Sequence, residues 1–85
     1  MTPVSIAIPA YNYAHYLPAA IDSLLAQTYP HFEILVIDDG STDNTRDVVA
    51  RYTDPRVRYV HQENAGLSAA RNTGVREARH ALIDP

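Results

Sequence analysis

The sequence predicts an α/β fold: a three-layer α/β/α sandwich around a parallel sheet of three strands, in β-α-β-α-β-α order. Three apolar runs of strand length, "VSIAI" (4–8), "EILVID" (33–38) and "VRYVHQ" (57–62), punctuate the chain. The first two are rich in β-branched residues. Between and after them lie stretches of helical periodicity, and such alternation is built with right-handed crossovers that place helices on both faces of a parallel sheet. The segments that follow the strands, "PAYNYAHY", "DDGSTDNT" and "ENAGLSAARN", are polar and aromatic. In sheets of this kind ligands sit outside the carboxyl ends of the strands, so the three segments are expected to converge at one edge.

Each element has its own signal. "EILVID" shows no polar alternation, which marks a strand covered on both faces. From His15 to Thr28, Leu17, Ile21, Leu24 and Leu25 form one stripe of a 3.6-residue period, with Pro18 tolerated in the first turn. From Thr42 to Tyr52 a capping hydroxyl and an early acid precede Val48, Val49 and Tyr52, which share one side. From Leu67 to Arg79 the pattern is again helical, with Ala70, Val75 and Ala78 inward and Gly74 either a weak spot or a point of close packing. No repeat or low-complexity tract interrupts the series, and "ALIDP" stands where another strand would begin. With three strands the first is expected at an open edge, a surface for docking or aggregation.

The 85 residues allow one domain, 1–85, and an apolar fraction of 46% with 20% charged residues is that of an ordinary globular protein. Without cysteine there is neither a disulfide framework nor a thiolate zinc site, in agreement with a reducing compartment. The amino terminus has no basic leader, and its apolar run is too short for a signal peptide or a membrane span, so a cytoplasmic location is expected. Net charge is −3, and the seven basic residues are all arginine, scattered from Arg46 to Arg79 without a block. That distribution lacks the basic stripe of a nucleic-acid binder, and an anionic ligand would have to be held by a few placed groups.

Asp38 and Asp39, at the end of the second strand, admit two readings. They are turn residues before Gly40, with Ser41 or Thr42 capping the next helix. Alternatively, an ionised carboxylate at a strand's end, near a helix's positive terminus and loop amides, accepts hydrogen bonds from a ligand N–H or hydroxyl. Tyr11 is either a ring that stacks on a heterocycle or a rim tyrosine, while Tyr13 and Tyr16 read as packing residues. Arg71, beside Asn72 and Ser68, is either a clamp for phosphate or base oxygens or a solvated helix arginine, the reading that suits Arg76 and Arg79. The histidines at 15, 31, 61 and 80 show no metal spacing and read as surface or cap residues. No G-x-G-x-x-G, G-x-x-x-x-G-K or EF-hand loop is present.

Taken together, "VSIAIPAYNYAHYLPAAIDSLLAQTYPHFEILVIDDGSTDNT" and "VRYVHQENAGLSAARNTGV" resemble the N-terminal half of family 2 glycosyltransferases, inverting nucleotide-sugar enzymes with a GT-A, Rossmann-like fold. The likeness runs from residue 4 to about 79. It implies that Tyr11 stacks on the nucleotide base with the backbone around Pro9 alongside, and that Asp39 hydrogen-bonds the base imide N–H, typically of uracil. It also implies that Asp38 helps shape that pocket and that Arg71 lies at the nucleotide side of the cleft. The family normally continues with a glycine near position 80, a strand ending in a D-x-D metal motif, and an acceptor-binding half that supplies the catalytic base. Here position 80 is histidine, Asp84 comes about three residues too early for the first motif acid, and no second acid follows.

The expectation is therefore a nucleotide-sugar-binding part truncated before the D-x-D motif, with no catalytic or metal-ligating residue of its own. The parent reaction is inverting transfer of a sugar from a nucleotide diphosphate, most readily a UDP-sugar, to an acceptor hydroxyl, with Mg²⁺ or Mn²⁺ holding the diphosphate. The alternative is a catalytically inactive nucleotide-binding remnant or module. A place in the cytoplasm or peripheral to the inner membrane face goes with either.

Overall fold

The computed structural model describes residues 2–83. The elements are β1 Val4–Ala10, α1 Leu17–Leu25, β2 Phe32–Asp39, α2 Thr45–Ala50, β3 Val57–Gln62, α3 Leu67–Glu77 and β4 Ala81–Ile83. All strand pairings are parallel, and the sheet order is β3-β2-β1-β4. The three expected strands are thus joined by a fourth. "ALI" is too brief to register by itself, but it pairs with Val4–Ile6 and satisfies backbone groups that β1 would otherwise leave open. The expected open edge at β1 is corrected accordingly: among the described residues the sheet ends at β3 and β4. Asp84 lies outside the described residues.

β2 is buried at all eight positions because it is internal to the sheet and covered on both faces. Its side chains alternate with the pleat. Phe32, Ile34 and Val36 enter one core with Leu17 and Ile21 of α1 and Val48 and Val49 of α2. Leu35 and Ile37 meet Ala70 of α3 in another. These two cores make the three layers.

The helices are shorter than their periodicity suggested. α1 is preceded by a turn in which the Tyr16 amide donates to the Tyr13 carbonyl at 2.9 Å. That turn points Ala14 inward and leaves Tyr13 and Tyr16 at 47% and 64% exposure, against the expectation that they pack. α2 starts at Thr45 rather than Thr42, since the amides of Thr42 and Asp43 are drawn out of the helical path by Asn12 Oδ1, at 2.8 and 3.3 Å. On α3 the buried set is Ala70, Thr73 and Gly74, and Val75 is 66% exposed rather than inward. Gly74 is the close-packing point: a Cβ there would stand 3.3 Å from the Cβ of Ala7 on β1.

A buried polar cluster fastens the end of the sheet away from the polar loops. Glu33 accepts the Ser5 hydroxyl at 2.5 Å, the Arg58 guanidinium at 2.9 Å and the Arg79 amide at 2.8 Å. The His80 amide donates to Ser5 Oγ at 3.1 Å, so the start of β4 is held by the same cluster. Burial pushes the Glu33 carboxyl up, but the bonds from Ser5, Arg79 and Arg58 outweigh it and hold it below the usual glutamate range.

Candidate functional site

The alternation that splits the core also splits the acid pair. Asp38 and Asp39 are both buried, at 2% and 5% exposure, yet they serve opposite faces of the sheet. Asp38 faces the α1/α2 side. Its Oδ1 accepts the Ser41 amide at 2.9 Å, and its Oδ2 accepts the Tyr59 hydroxyl, over whose ring the Arg46 guanidinium sits 5.7 Å from the centroid. Burial raises this carboxyl's affinity for a proton, while the bonds from Ser41 and Tyr59, aided by His61, bring it below the ordinary aspartate range.

Through Ser41 this acid fixes the loop after β1. The Asn12 amide donates to Ser41 Oγ at 3.0 Å, Asn12 Oδ1 accepts from Thr42 and Asp43, and the Ala14 amide donates to Asp43 Oδ2 at 3.1 Å. Asn12 holds φ 55°, a left-handed conformation that asparagine tolerates better than most residues. Its amide therefore clips two loops together instead of standing free at the mouth of β1. An asparagine directly after a strand and its aromatic residue is the sequence signal for such a turn. Neither Ser41 nor Thr42 caps α2: the cap position is Asn44, whose side chain makes no capping bond, and Asp43 Oδ1 accepts the Thr45 amide at 3.1 Å just ahead of the helix.

Asp39 faces α3. Its Oδ1 accepts Gln62 Nε2 at 2.9 Å and the Ala65 amide at 2.9 Å; its Oδ2 accepts the Gly66 amide at 3.0 Å, with Asn64 Nδ2 farther off at 3.4 Å. The Gln62 bond, opposed by burial and reinforced by the Ala65 and Gly66 amides, keeps the carboxyl ionised below its ordinary range. A carboxylate has about four acceptor positions, so all four are engaged here, and the 3.4 Å bond from Asn64 to Oδ2 is the longest and the one a ligand donor would displace. Gly40 makes this approach of loops possible: at φ 72° a Cβ on it would lie 2.6 Å from the Asn64 amide nitrogen.

Asp39 forms part of the wall of a cavity of about 200 Å³ with Pro9, Ala10, Tyr11, Tyr13, Leu67 and Ala70. Tyr11 and Tyr13 stand at 47% exposure at its rim. Of the residues singled out in the sequence, Pro9, Tyr11 and Asp39 come together here. Arg71 is exposed on α3, one turn after Leu67 and hence on the helix side that borders the cavity. Asp38 is not part of the wall. Tyr13, Leu67, Gln62 and the Ala65–Gly66 amides are contributors that sequence reading missed, because their role depends on which loop amides reach Asp39.

A larger open groove of about 590 Å³ lies elsewhere, along Asn12, His15, Pro18, Asp43, Asn44 and Arg51 between α1 and α2. Size does not decide between the two. The smaller cavity joins the exposed rings of Tyr11 and Tyr13 to the buried Asp39, whereas no tyrosine lines the groove. Among the described residues no group of three or more His, Cys, Asp or Glu converges on a point, so the divalent ion that the resemblance implies does not fit them. No helix of these residues is long and apolar enough to cross a membrane.

The chain is similar to glycosyltransferase GlyA of Streptococcus pneumoniae serotype 4, at 46% identity over 74 residues, which is 85% of this chain and 11% of that protein. It is also similar to the uncharacterized glycosyltransferase EpsJ of Bacillus subtilis, at 44% identity over 82 residues, or 94% of this chain and 24% of that one. Among solved structures, Staphylococcus aureus TarS 1-349 in complex with UDP superposes with a TM-score of 0.85 at 29% identity, covering 96% of this chain and 27% of that one. Mannosyltransferase PcManGT from Pyrobaculum calidifontis, solved in complex with GDP-Man and Mn²⁺, gives 0.81 at 33% identity, covering 88% and 24%. The chain thus spans about a quarter or less of the length of these relatives. The family model for glycosyl transferase family 2 matches residues 5–83, nearly the whole chain, and with the parallel sheet shared with GT-A neighbours this makes the protein a member of glycosyl transferase family 2.

Proposed function

We propose that the cavity between Tyr11 and Asp39 receives the base of a nucleotide-diphosphate sugar, with a UDP-sugar the best match. The observation that carries this reading is the buried, ionised Asp39, whose longest bond, from Asn64 to Oδ2, is one that a ligand N–H can replace beside an exposed aromatic rim. A carboxylate only accepts, so it suits a base edge that carries an N–H, such as the imide of uracil, and disfavours cytosine, whose N3 is itself an acceptor. Tyr11 supplies the stacking surface and Pro9 a flat wall. Arg71 approaches from α3 with a charge for phosphate or base oxygens. Asp38 supports the pocket from the other face, by holding Ser41 and through it the loop that bears Tyr11.

The reaction of such a domain is inverting transfer of the sugar from its nucleotide diphosphate to an acceptor hydroxyl, and the described residues contribute donor recognition to it. Mg²⁺ or Mn²⁺, which would neutralise the leaving diphosphate, and the base for the acceptor are assigned to residues beyond the described set. A cytoplasmic setting, at most peripheral to the inner membrane face, goes with this reading.

Titration of the 85-residue chain with UDP, GDP and CDP, followed by amide chemical shifts, tests the proposal. UDP is expected to bind at about 0.1–1 mM, roughly 4–5 kcal/mol, with the largest shifts at Tyr11, Leu67, Ala65 and Gly66, and more tightly than CDP. Absence of any shift at 5–10 mM UDP, on the order of ten times the weakest expected Kd, or shifts confined to the α1/α2 groove, would overturn it.

A further inference from the structure

Asp39 can offer Oδ2 to a ligand only if Oδ1 stays held by its donors, and one of those donors is a side chain. Gln62, the last residue of β3, places Nε2 2.9 Å from Asp39 Oδ1, and its Oε1 accepts the Thr73 hydroxyl from α3. The direction of this chain is forced. A carboxylate accepts only, so the NH₂ end of Gln62 must face Asp39, and its oxygen must then face Thr73. Thr73 has a single proton and a second acceptor within reach, the Ala69 carbonyl at 3.0 Å. The Arg76 guanidinium, at 3.3 Å, donates to the same hydroxyl oxygen, and the Gln62 oxygen is the nearer of the two acceptors for the Thr73 proton. Thr73 is 5% exposed, so water does not substitute for it.

We infer that Gln62, bridging Asp39 and Thr73, is the positioning residue of this cavity: the relay from Arg76 through Thr73 and Gln62 holds Oδ1 of Asp39 and leaves Oδ2, with its long Asn64 bond, to the ligand. The inference rests on the nucleotide reading above for the identity of that ligand, and on geometry alone for the relay. The groups facing Asp39 are Gln62 from β3, Asn64, Ala65 and Gly66 from the β3–α3 loop, and Tyr11 and Tyr13 across the cavity; Arg76 is the nearest charge behind Thr73. Loss of the Thr73 hydroxyl strands the Gln62 oxygen, and the amide can regain a donor only by leaving the bridge, which takes its NH₂ from Oδ1 and disturbs the acceptor that the ligand needs.

The test compares Thr73→Val with Thr73→Ser in the full 85-residue chain, with Gln62→Met as a second disruption should the valine variant fold poorly. Two readouts are taken: the pH titration of the Asp39 side-chain carboxyl by ¹³C NMR without ligand, and UDP affinity across pH 4–8. Thr73→Val and Gln62→Met are expected to move the Asp39 titration to higher pH, weaken UDP about tenfold at neutral pH and shift the acid loss of binding upward. Thr73→Ser is expected to return both readouts to those of the parent chain. An Asp39 titration and a UDP pH profile unchanged in folded Thr73→Val and Gln62→Met overturn the relay. If the parent chain binds no UDP, GDP or CDP, the nucleotide reading fails, and the ligand-free titration of the valine and serine variants still decides the relay.

Discussion

Gly40 is the residue on which the two loops around Asp39 depend most directly, and replacing it by alanine gives a measurable consequence. Gly40 sits at φ 72°, and an added Cβ would lie 2.6 Å from the Asn64 amide nitrogen and 3.0 Å from the Asn64 Cα. Placing alanine in the left-handed region costs about 1 kcal/mol. Forcing backbone against backbone adds overpacking of about 1–3 kcal/mol. The sum, about 2–4 kcal/mol, is a large share of the roughly 4–13 kcal/mol expected for a chain of this size. Gly66 provides an internal control: it holds φ 97°, but a Cβ there meets nothing within 4 Å. At ψ 171° this is a region essentially reserved for glycine, so Gly66→Ala should cost a backbone-strain term alone, of about 1–3 kcal/mol. In urea unfolding followed by far-UV circular dichroism, with a slope of roughly 1 kcal/mol/M, Gly40→Ala should lower the midpoint by about 2–4 M, or leave the chain unfolded, and Gly66→Ala by about 1–3 M. Any folded Gly40→Ala should also bind UDP less tightly, because displacing Asn64 moves the Ala65 and Gly66 amides that hold Asp39. A Gly40→Ala midpoint lowered by no more than about 1 M, the strain term alone, would refute the steric argument.

Three further outcomes are expected. Tyr11→Ala and Asp39→Asn should each weaken UDP about tenfold or more in the same amide-shift titration, and Asp39→Asn should also destabilise the chain, since either orientation of its NH₂ faces a loop donor. The carboxyls of Glu33, Asp38 and Asp39 are all held below their ordinary ranges in the folded chain, so the stability they confer is present above their unfolded values of 4.5, 3.8 and 3.8 and is lost as pH falls through the lower folded values. Urea midpoints should accordingly fall below about pH 4.5, and Glu33→Gln, less stable at neutral pH, should show a flatter acid limb. Asn12→Ala should cost about 1–2 kcal/mol through loss of the Thr42 and Asp43 bonds and the strain of alanine at that turn, and hydrogen exchange should quicken at the Thr42 and Asp43 amides; unchanged protection there would count against the clip.

Much of the architecture was legible in the residues themselves. The unbroken apolar run ending in Asp38 marked a strand covered on both faces, and the stripe of Leu17, Ile21, Leu24 and Leu25 marked α1, because side-chain periods of 2 and 3.6 are local properties of the backbone. The convergence of Pro9, Tyr11 and Asp39 followed from the parallel order of the strands. Less was legible where a residue's partner is distant in sequence. Val75 has the hydrophobicity of an inward residue, yet α3 rotates Ala70, Thr73 and Gly74 against β1 and β2, because Gly74 alone permits that closeness to Ala7. Tyr13 and Tyr16 are turned outward by the Ala14 turn. The strand β4 forms only because β1 presents an open edge to Ala81–Ile83.

The acid pair shows the division most clearly. Sequence alone determined that two carboxylates stand together at the end of a buried strand, beside a glycine turn and hydroxyl side chains, at the edge where a parallel sheet binds ligands. Tertiary structure decided that the two do different work. The pleat sends Asp38 to Tyr59 and Ser41 on one face and Asp39 to Gln62 and the Ala65–Gly66 amides on the other. Adjacent residues on a strand cannot share a face, and apart from Ser41 these partners lie more than twenty residues away in the chain, where no local pattern can place them.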